Sequence, residues 1–201
     1  MALTIYGTPR SRTMRVLWTA AELGLDYEHV PITVEDPWLK SAEFLSVSPN
    51  GTIPAIVDDG FALAESMAIN LYLTKRYATG RLYPESLDRE ASCWRWSLWA
   101  QGQLEPWIMQ DARLATLRAA ASDAMREEVE RALRLLDATL ADRAFLLSEG
   151  FTVADLNVAG VLSPSRATKL DFARFGAVSA WLDRCYARPA AVDVRRRFAG
   201  G

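Results

Sequence analysis

The sequence predicts an α/β domain at the N-terminus followed by an all-α helical domain at the C-terminus. Three observations lead there. Short strand patterns alternate with helical ones as far as residue 78, strand signals then stop, and beyond residue 87 only helical spacing recurs. With 201 residues, 50% of them hydrophobic and 24% charged, the chain has the balance of a folded globular protein and enough length for a sizeable core.

The elements follow in order. Leu3 and Ile5 alternate with Thr4 and Tyr6 as a short strand, and Gly7-Thr8-Pro9-Arg10-Ser11 is a turn. Met14, Leu17, Trp18, Ala21 and Leu25 then fall at the spacing of one apolar helix face, with Gly24 placed to stop the helix. Tyr27 to Ile32 reads as a second strand, closed at Pro31, and the stretch from Pro37 to Val47 as a helix or irregular turn. Ala55-Ile56-Val57 and Phe61-Ala62-Leu63 flank Asp58-Asp59-Gly60, whose Asp-Gly supplies the positive-φ residues of a tight hairpin. Glu65 opens a helix carrying Ala68, Leu71 and Tyr72 on one side. Residues 1–78 are therefore one domain, a βαβ unit joined to a ββα unit, and 79–86 a turn-forming linker.

Residues 87–201 form the helical domain. Val129, Leu133, Leu136 and Leu140 make one apolar stripe, with Glu127–Arg131 and Glu130–Arg134 as pairs on the solvent side. Val178, Trp181, Leu182 and Cys185 make another, stopped by Pro189. Thr152-Val153-Ala154-Asp155 has the form of a capping box with Asp in the place of Glu, and Phe151 is placed for a hydrophobic staple with Leu156. Trp94, Trp96, Trp99 and Trp107 are read mainly as packing residues, and Arg195-Arg196-Arg197 as a solvated tail.

Composition excludes several function classes. Twenty-three Lys and Arg against 25 Asp and Glu give a net charge of -2, without the basic field of a nucleic-acid binder. No apolar run reaches the ~18 residues of a membrane span, and Met1 to Tyr6 lacks the basic and apolar pattern of a secretory signal, so a cytoplasmic location is expected. Cys93 and Cys185 are then expected to be reduced, and Asn50-Gly51-Thr52 is a chance glycosylation match. His29 is the single histidine, in a strand-like stretch, so neither a zinc cluster nor a Ser/His/Asp triad is expected and no metal is implied. The glycines are scattered, which leaves no phosphate-cradling loop.

Four stretches carry the chemistry: Tyr6 to Val16, Ser48-Pro49-Asn50-Gly51-Thr52-Ile53-Pro54-Ala55, Leu63 to Ile69, and Gly150 to Leu156. In this order and spacing the chain resembles the cytosolic glutathione transferases over essentially its whole length. The resemblance implies a thioredoxin-like first domain and an electrophile pocket between the two halves. It also implies glutathione as co-substrate, a hydrophobic electrophile as second substrate, a detoxifying role and a homodimer. Glutathione would pair its cysteinyl backbone with Ile53, ahead of a cis Pro54, in the manner of an added strand. Thr52 lies where members of the family place a side chain near the peptide. Glu65 and Ser66 resemble the pair that holds the γ-glutamyl end. A serine at a helix N-terminus suits a carboxylate, and a glutamate suits an ammonium. Lys40 matches a basic position that contacts the glycine carboxylate in plant-type members. Asp155 resembles the family's helix-capping aspartate, whose work is folding.

The catalytic position is less sharply marked. The family lowers the thiol pKa of bound glutathione with a hydroxyl or thiol at the start of the first helix. Counted forward from Gly7 and Pro9 the serine is Ser11; counted back from Arg15 and Val16 it falls one residue earlier, on Arg10, because the turn is one residue short. Thr13 is a further hydroxyl in reach, and Tyr6 matches the strand-end tyrosine of other classes only loosely. Ser11 is the choice because it alone joins a short hydroxyl to the helix cap. Two rival readings stay open: a glutathione-dependent isomerase or dehalogenase that recycles glutathione, and a non-enzymatic binding or regulatory protein of the same fold.

Overall fold

Strands β1 (Leu3–Tyr6), β2 (Glu28–Val30), β3 (Ala55–Asp58) and β4 (Phe61–Ala64) form one sheet in the order β2-β1-β3-β4. β1 runs parallel to β2, and β3 is antiparallel to both β1 and β4. This is the predicted thioredoxin-like unit. The computed structural model describes residues 2–108, 120–148, 150–163 and 172–198, and the chain divides into two compact units. One runs through Tyr83 and regains the chain from Arg188; the other is Pro84–Ala187.

In the first unit, α1 (Thr13–Leu23) crosses between the parallel strands and ends where expected, at Gly24 with φ 65°. Val16, Leu17 and Ala20 are fully buried, with Leu3 and Ile5 of β1. The hairpin turns on Asp59 and Gly60, both at positive φ, as the Asp-Gly pair requires. A 3-10 turn (Pro37–Lys40) capped by Asp36 leads to α2 (Ala42–Val47) capped by Ser41, where the sequence leaves helix or turn open. β2 is shorter than the expected Tyr27–Ile32 strand.

Helix α3 (Ser66–Ala78) buries a different side from the one predicted. Met67, Ile69, Asn70, Leu73 and Thr74 are inside, while Ala68 is exposed and Leu71 and Tyr72 are half-buried. Tyr72 sits at the edge because its hydroxyl reaches Asp58 at 2.9 Å and its ring meets Phe61. Leu82 and Tyr83, in the expected linker, are buried.

The second unit contains α4 (Leu87–Trp99), which widens into a π turn over Ala100–Leu104, α5 (Ala120–Leu140), α6 (Val153–Val161) and α7 (Gly176–Tyr186). The stripes on α5 and α7 are buried as read. Trp96 is buried and packs edge-on against Trp99, which is half-buried like Trp107, whereas Trp94 is exposed. Arg131 pairs with Glu128 rather than Glu127, and Arg134 with Glu130 as expected. Asp155 accepts from Thr152 N, Thr152 Oγ1, Leu146 N and Trp181 Nε1, so the capping residue also ties α7 and the preceding loop to α6.

Three expectations at the C-terminus are corrected. α7 ends at Tyr186, before Pro189, and Pro189 instead opens α8 (Pro189–Arg197), a position where its missing N–H costs nothing. Arg195, Arg196 and Arg197 are therefore the last turn of a helix, not a tail, with Arg196 and Arg197 paired to Asp193. The sequence assigns this segment to the helical domain. α8 instead belongs with the first unit, because Arg188 pairs with Glu22 of α1 and Phe198 packs on His29.

Candidate active site

The sheet register gathers the functional stretches at one end. Tyr6 pairs with Ala55, and Ala55 with Ala64. Gly7 after β1, Pro54 before β3 and Glu65 after β4 therefore leave the sheet side by side. α1 and α3 both begin at that end, so two helix N-termini point toward it. Such termini offer free N–H groups and a positive field to an anion.

The turn from β1 into α1 is tight. Gly7 has φ 127°, and a Cβ there would run into Thr13 Oγ1 and lie 3.0 Å from Ile53 Cβ, so only glycine fits. Its N–H donates to Val30 O at 2.9 Å, and His29 Nε2 bonds its carbonyl at 2.9 Å. The lone histidine thus braces the backbone of this turn. Ser11 lies one residue before the assigned cap, Arg12, yet its oxygen accepts from Thr13 N at 3.1 Å, as a capping serine does. Its hydroxyl also donates to Thr8 O at 2.8 Å and lies 2.8 Å from Thr13 Oγ1. Ser11 is partly exposed and Thr13 fully buried; Arg10 is exposed.

The Ile53–Pro54 peptide bond is cis. Ile53 is half-buried and its side chain packs on Gly7. Thr52 is exposed, with its N–H and carbonyl both bonded to the buried Ser48 hydroxyl. Lys40 is exposed. It follows Leu39, whose carbonyl lies 2.8 Å from where a Gly51 Cβ would sit, so the Lys40 segment abuts the Gly51-Thr52 loop.

Glu65 is exposed and holds φ 72°, a strained backbone for a residue with a side chain. The strain turns the chain out of β4 so that Ser66 begins α3. Ser66 is buried, and Arg15 Nη1 donates to its hydroxyl across 3.4 Å. A hydroxyl, a helix N-terminus and a buried guanidinium at one point make a binding place suited to a carboxylate. Arg15 is a residue that sequence reading used only to mark register. Its signal was present: a charged residue inside the apolar run Met14 to Trp18 must be held for a reason.

Tyr6 stands apart from this cluster. On β1 it alternates with Leu3 and Ile5, so it faces away from the side they bury, and its ring packs against Trp38 and Phe44. Burial, with Glu28 and Glu43 nearby, raises its phenol above the ordinary value. Both cysteines are buried in the second unit.

Residues 1–75 match the glutathione S-transferase N-terminal domain, and residues 101–189 match the C-terminal domain of the same family. The chain belongs to the glutathione S-transferase family. Glutathione S-transferase 3 of Zea mays is 32% identical to this family member over 94% of its length and 90% of the relative's. Disulfide-bond oxidoreductase YfcG of Escherichia coli is 28% identical over 94% and 92%. Among solved structures, the URE2P6 glutathione transferase of Phanerochaete chrysosporium with oxidized glutathione superposes with a TM-score of 0.87 at 26% identity, covering 98% of this chain and 96% of that one. Glutathione S-transferase 1-6 of Anopheles dirus gives 0.87 at 28% identity, covering 98% and 95%.

Proposed function

We propose that this glutathione S-transferase binds glutathione at the shared end of the sheet and transfers its thiolate to an electrophilic small molecule. The observation that carries the reading is the convergence there of Ser11, the cis Ile53–Pro54 bond and Ser66 backed by Arg15. The γ-glutamyl carboxylate meets Ser66 and the α3 N-terminus, and Glu65 takes the ammonium. Ile53 pairs with the cysteinyl backbone. Thr52 flanks the peptide, and Lys40, beside the Gly51-Thr52 loop, takes the glycine carboxylate.

Ser11 then donates to the sulfur. A hydrogen bond to the charged form favours that form, so the thiol of bound glutathione ionises at lower pH than the free ~8.5. The thiolate attacks carbon, a C–S bond forms, and the leaving group departs with its electron pair. Both cysteines of the chain are buried, so the thiol in this reaction is glutathione's own. The reading includes a homodimer, a detoxifying role and a cytoplasmic setting.

An assay with glutathione and a chloronitroarene tests it, following free thiol, thioether and chloride together. One thioether and one chloride per thiol lost is the expected result. Turnover with thiol unchanged supports the recycling isomerase or dehalogenase reading. Thiol lost as disulfide places the chain with its oxidoreductase relative. Glutathione binding without any turnover supports a regulatory protein.

A further inference from the structure

Ser11 Oγ has one proton and three close partners, and one arrangement makes a hydrogen bond of all three contacts. Thr8 O can only accept, so the contact at 2.8 Å takes the Ser11 proton. Thr13 N can only donate. The contact of 2.8 Å between Ser11 Oγ and Thr13 Oγ1 therefore takes its proton from Thr13, since two hydroxyl oxygens do not approach that closely without one. The serine oxygen is held by two donations from one residue, and its own proton is directed at a backbone carbonyl.

Thr13 is itself fixed. It is fully buried, and its hydroxyl occupies the place that a Gly7 side chain would fill. Gly7 is anchored in turn through Val30 O and His29. The Thr13 hydroxyl is thus seated on one side by the glycine turn and committed on the other to Ser11.

We infer that Thr13 is a positioning residue for the transfer reaction: its hydroxyl holds Ser11 Oγ so that the single Ser11 proton turns from Thr8 O to the glutathione sulfur. The inference rests on the reading of Ser11 as the sulfur's donor. When the thiolate arrives, Ser11 Oγ keeps both Thr13 donors and exchanges a neutral acceptor for a charged one, so only its proton moves. Two donations into the oxygen also polarise the O–H bond and strengthen its bond to sulfur. Thr13 touches neither substrate. It explains why a second hydroxyl stands two residues from Ser11 without needing to compete for the sulfur.

The test compares Thr13→Val, Thr13→Ala, Thr13→Ser and Ser11→Ala, using bound glutathione thiolate absorbance against pH and the pH profile of kcat/KM. Thr13→Val keeps the branched shape and exchanges the hydroxyl beside Gly7 for a methyl, and Thr13→Ala is the companion that removes the hydroxyl without any atom in its place. Ser11→Ala raises the thiolate midpoint and lowers the rate at neutral pH by about a hundredfold. Loss of the Thr13 hydroxyl raises the midpoint in the same direction and lowers the rate by about tenfold, with glutathione affinity unchanged and Thr13→Ser restoring both. If Ser11→Ala moves the midpoint and neither Thr13→Val nor Thr13→Ala does, the positioning role is overturned and the Ser11 assignment survives. If the Thr13 variants move it and Ser11→Ala does not, Thr13 meets the sulfur directly and both assignments fail. If none moves it, the reading of this turn as the catalytic one fails first.

Discussion

Arg188 grips Glu22 through a forked pair of bonds, Nε to Oε1 and Nη2 to Oε2, each 2.7 Å, although 166 residues separate them in the chain. The Glu22 side chain is 5% exposed and the Arg188 side chain 30%, and Trp18 Nε1 donates to the same carboxylate at 3.0 Å. The pair joins α1 to the first residue before α8, and so decides to which unit the end of the chain belongs.

Removing the arginine takes both charge-assisted bonds from a buried carboxylate and, among the described residues, leaves it the Trp18 bond. Arg188→Ala should therefore lower unfolding stability by about 1.5–3 kcal/mol, the scale of losing charge-assisted bonds, discounted for the exposed end of the arginine. Glu22→Gln keeps an acceptor for Trp18 and should cost less. Urea unfolding of both variants and their double mutant gives the coupling directly. A coupling near zero would show that α8 is held by apolar packing alone.

Asp155 is the opposite case, a buried carboxylate meeting four donors from the α6 cap, the preceding loop and α7. Asp155→Ala orphans all four donors, Trp181 Nε1 included, and is expected to cost about 3–5 kcal/mol. Asp155→Asn replaces one acceptor oxygen by an N–H that faces donors, so it should recover only part of that loss. Thermal melts followed by far-ultraviolet dichroism measure both, and equal melting of wild type and Asp155→Ala would refute the role.

The fold was legible wherever local chemistry left one choice. Asp59-Gly60 could only be a hairpin turn, Gly24 a helix end, and Thr152 with Asp155 a cap. The α3 face differs from the sequence pattern because that pattern counts Asn70 and Thr74 as polar. Both are buried, while the apolar Ala68 is outside. Proline ends a helix and also begins one, so the sequence alone makes Pro189 a stop and only its neighbours show that it opens α8. At the candidate site the motif residues were visible singly. Their common end of the sheet follows from strand register, and the Arg15–Ser66 contact spans 51 residues, which no local pattern encodes.

Cys93 is fully buried, and burial above all pushes its thiol up to about 11. A folded value above the unfolded ~8.5 means that the native state holds the proton longer. Its stability contribution is complete below about pH 8.5 and is lost as the pH rises through about 11. Urea midpoints should fall more between pH 8 and 10 for wild type than for Cys93→Ala. At pH 8 the native protein should resist thiol labelling and keep its turnover, with both cysteines reacting once it is unfolded. Fast labelling of the native protein would contradict the burial.

On α4 Leu87, Trp94 and Leu98 are 68%, 41% and 69% exposed, and their spacings of seven and four residues put them on one side. Such an apolar side suits a second copy of the chain better than water. Light scattering is expected to give about twice the 22.4 kDa of one chain in the micromolar range, and Trp94→Glu with Leu98→Glu should halve it. A mass of one chain for the unaltered protein would end the dimer reading, and an unchanged dimer in the double variant would move the interface off this side of α4.

Ser66→Ala separates ligand holding from a purely structural place at the start of α3. A serine that only begins α3 would lose stability on truncation and leave glutathione untouched. A serine that meets a carboxylate loses a hydrogen bond to a charged group, worth about 1.5–3 kcal/mol, or about ten- to a hundredfold in affinity. Ser66→Ala should therefore weaken glutathione binding by that factor in calorimetry, without moving the thiolate midpoint, because the γ-glutamyl carboxylate is bound in the same form whether the sulfur is ionised or not. Arg15→Lys keeps the charge but loses the planar fork that reaches Ser66, and should weaken binding in the same direction. Glu65→Gln should weaken it through the ammonium, and S-methylglutathione, which keeps both ends of the peptide, should show the same three losses. Equal affinity for wild type and Ser66→Ala would remove the carboxylate from the α3 N-terminus and leave Ser66 as a buried residue of the first turn.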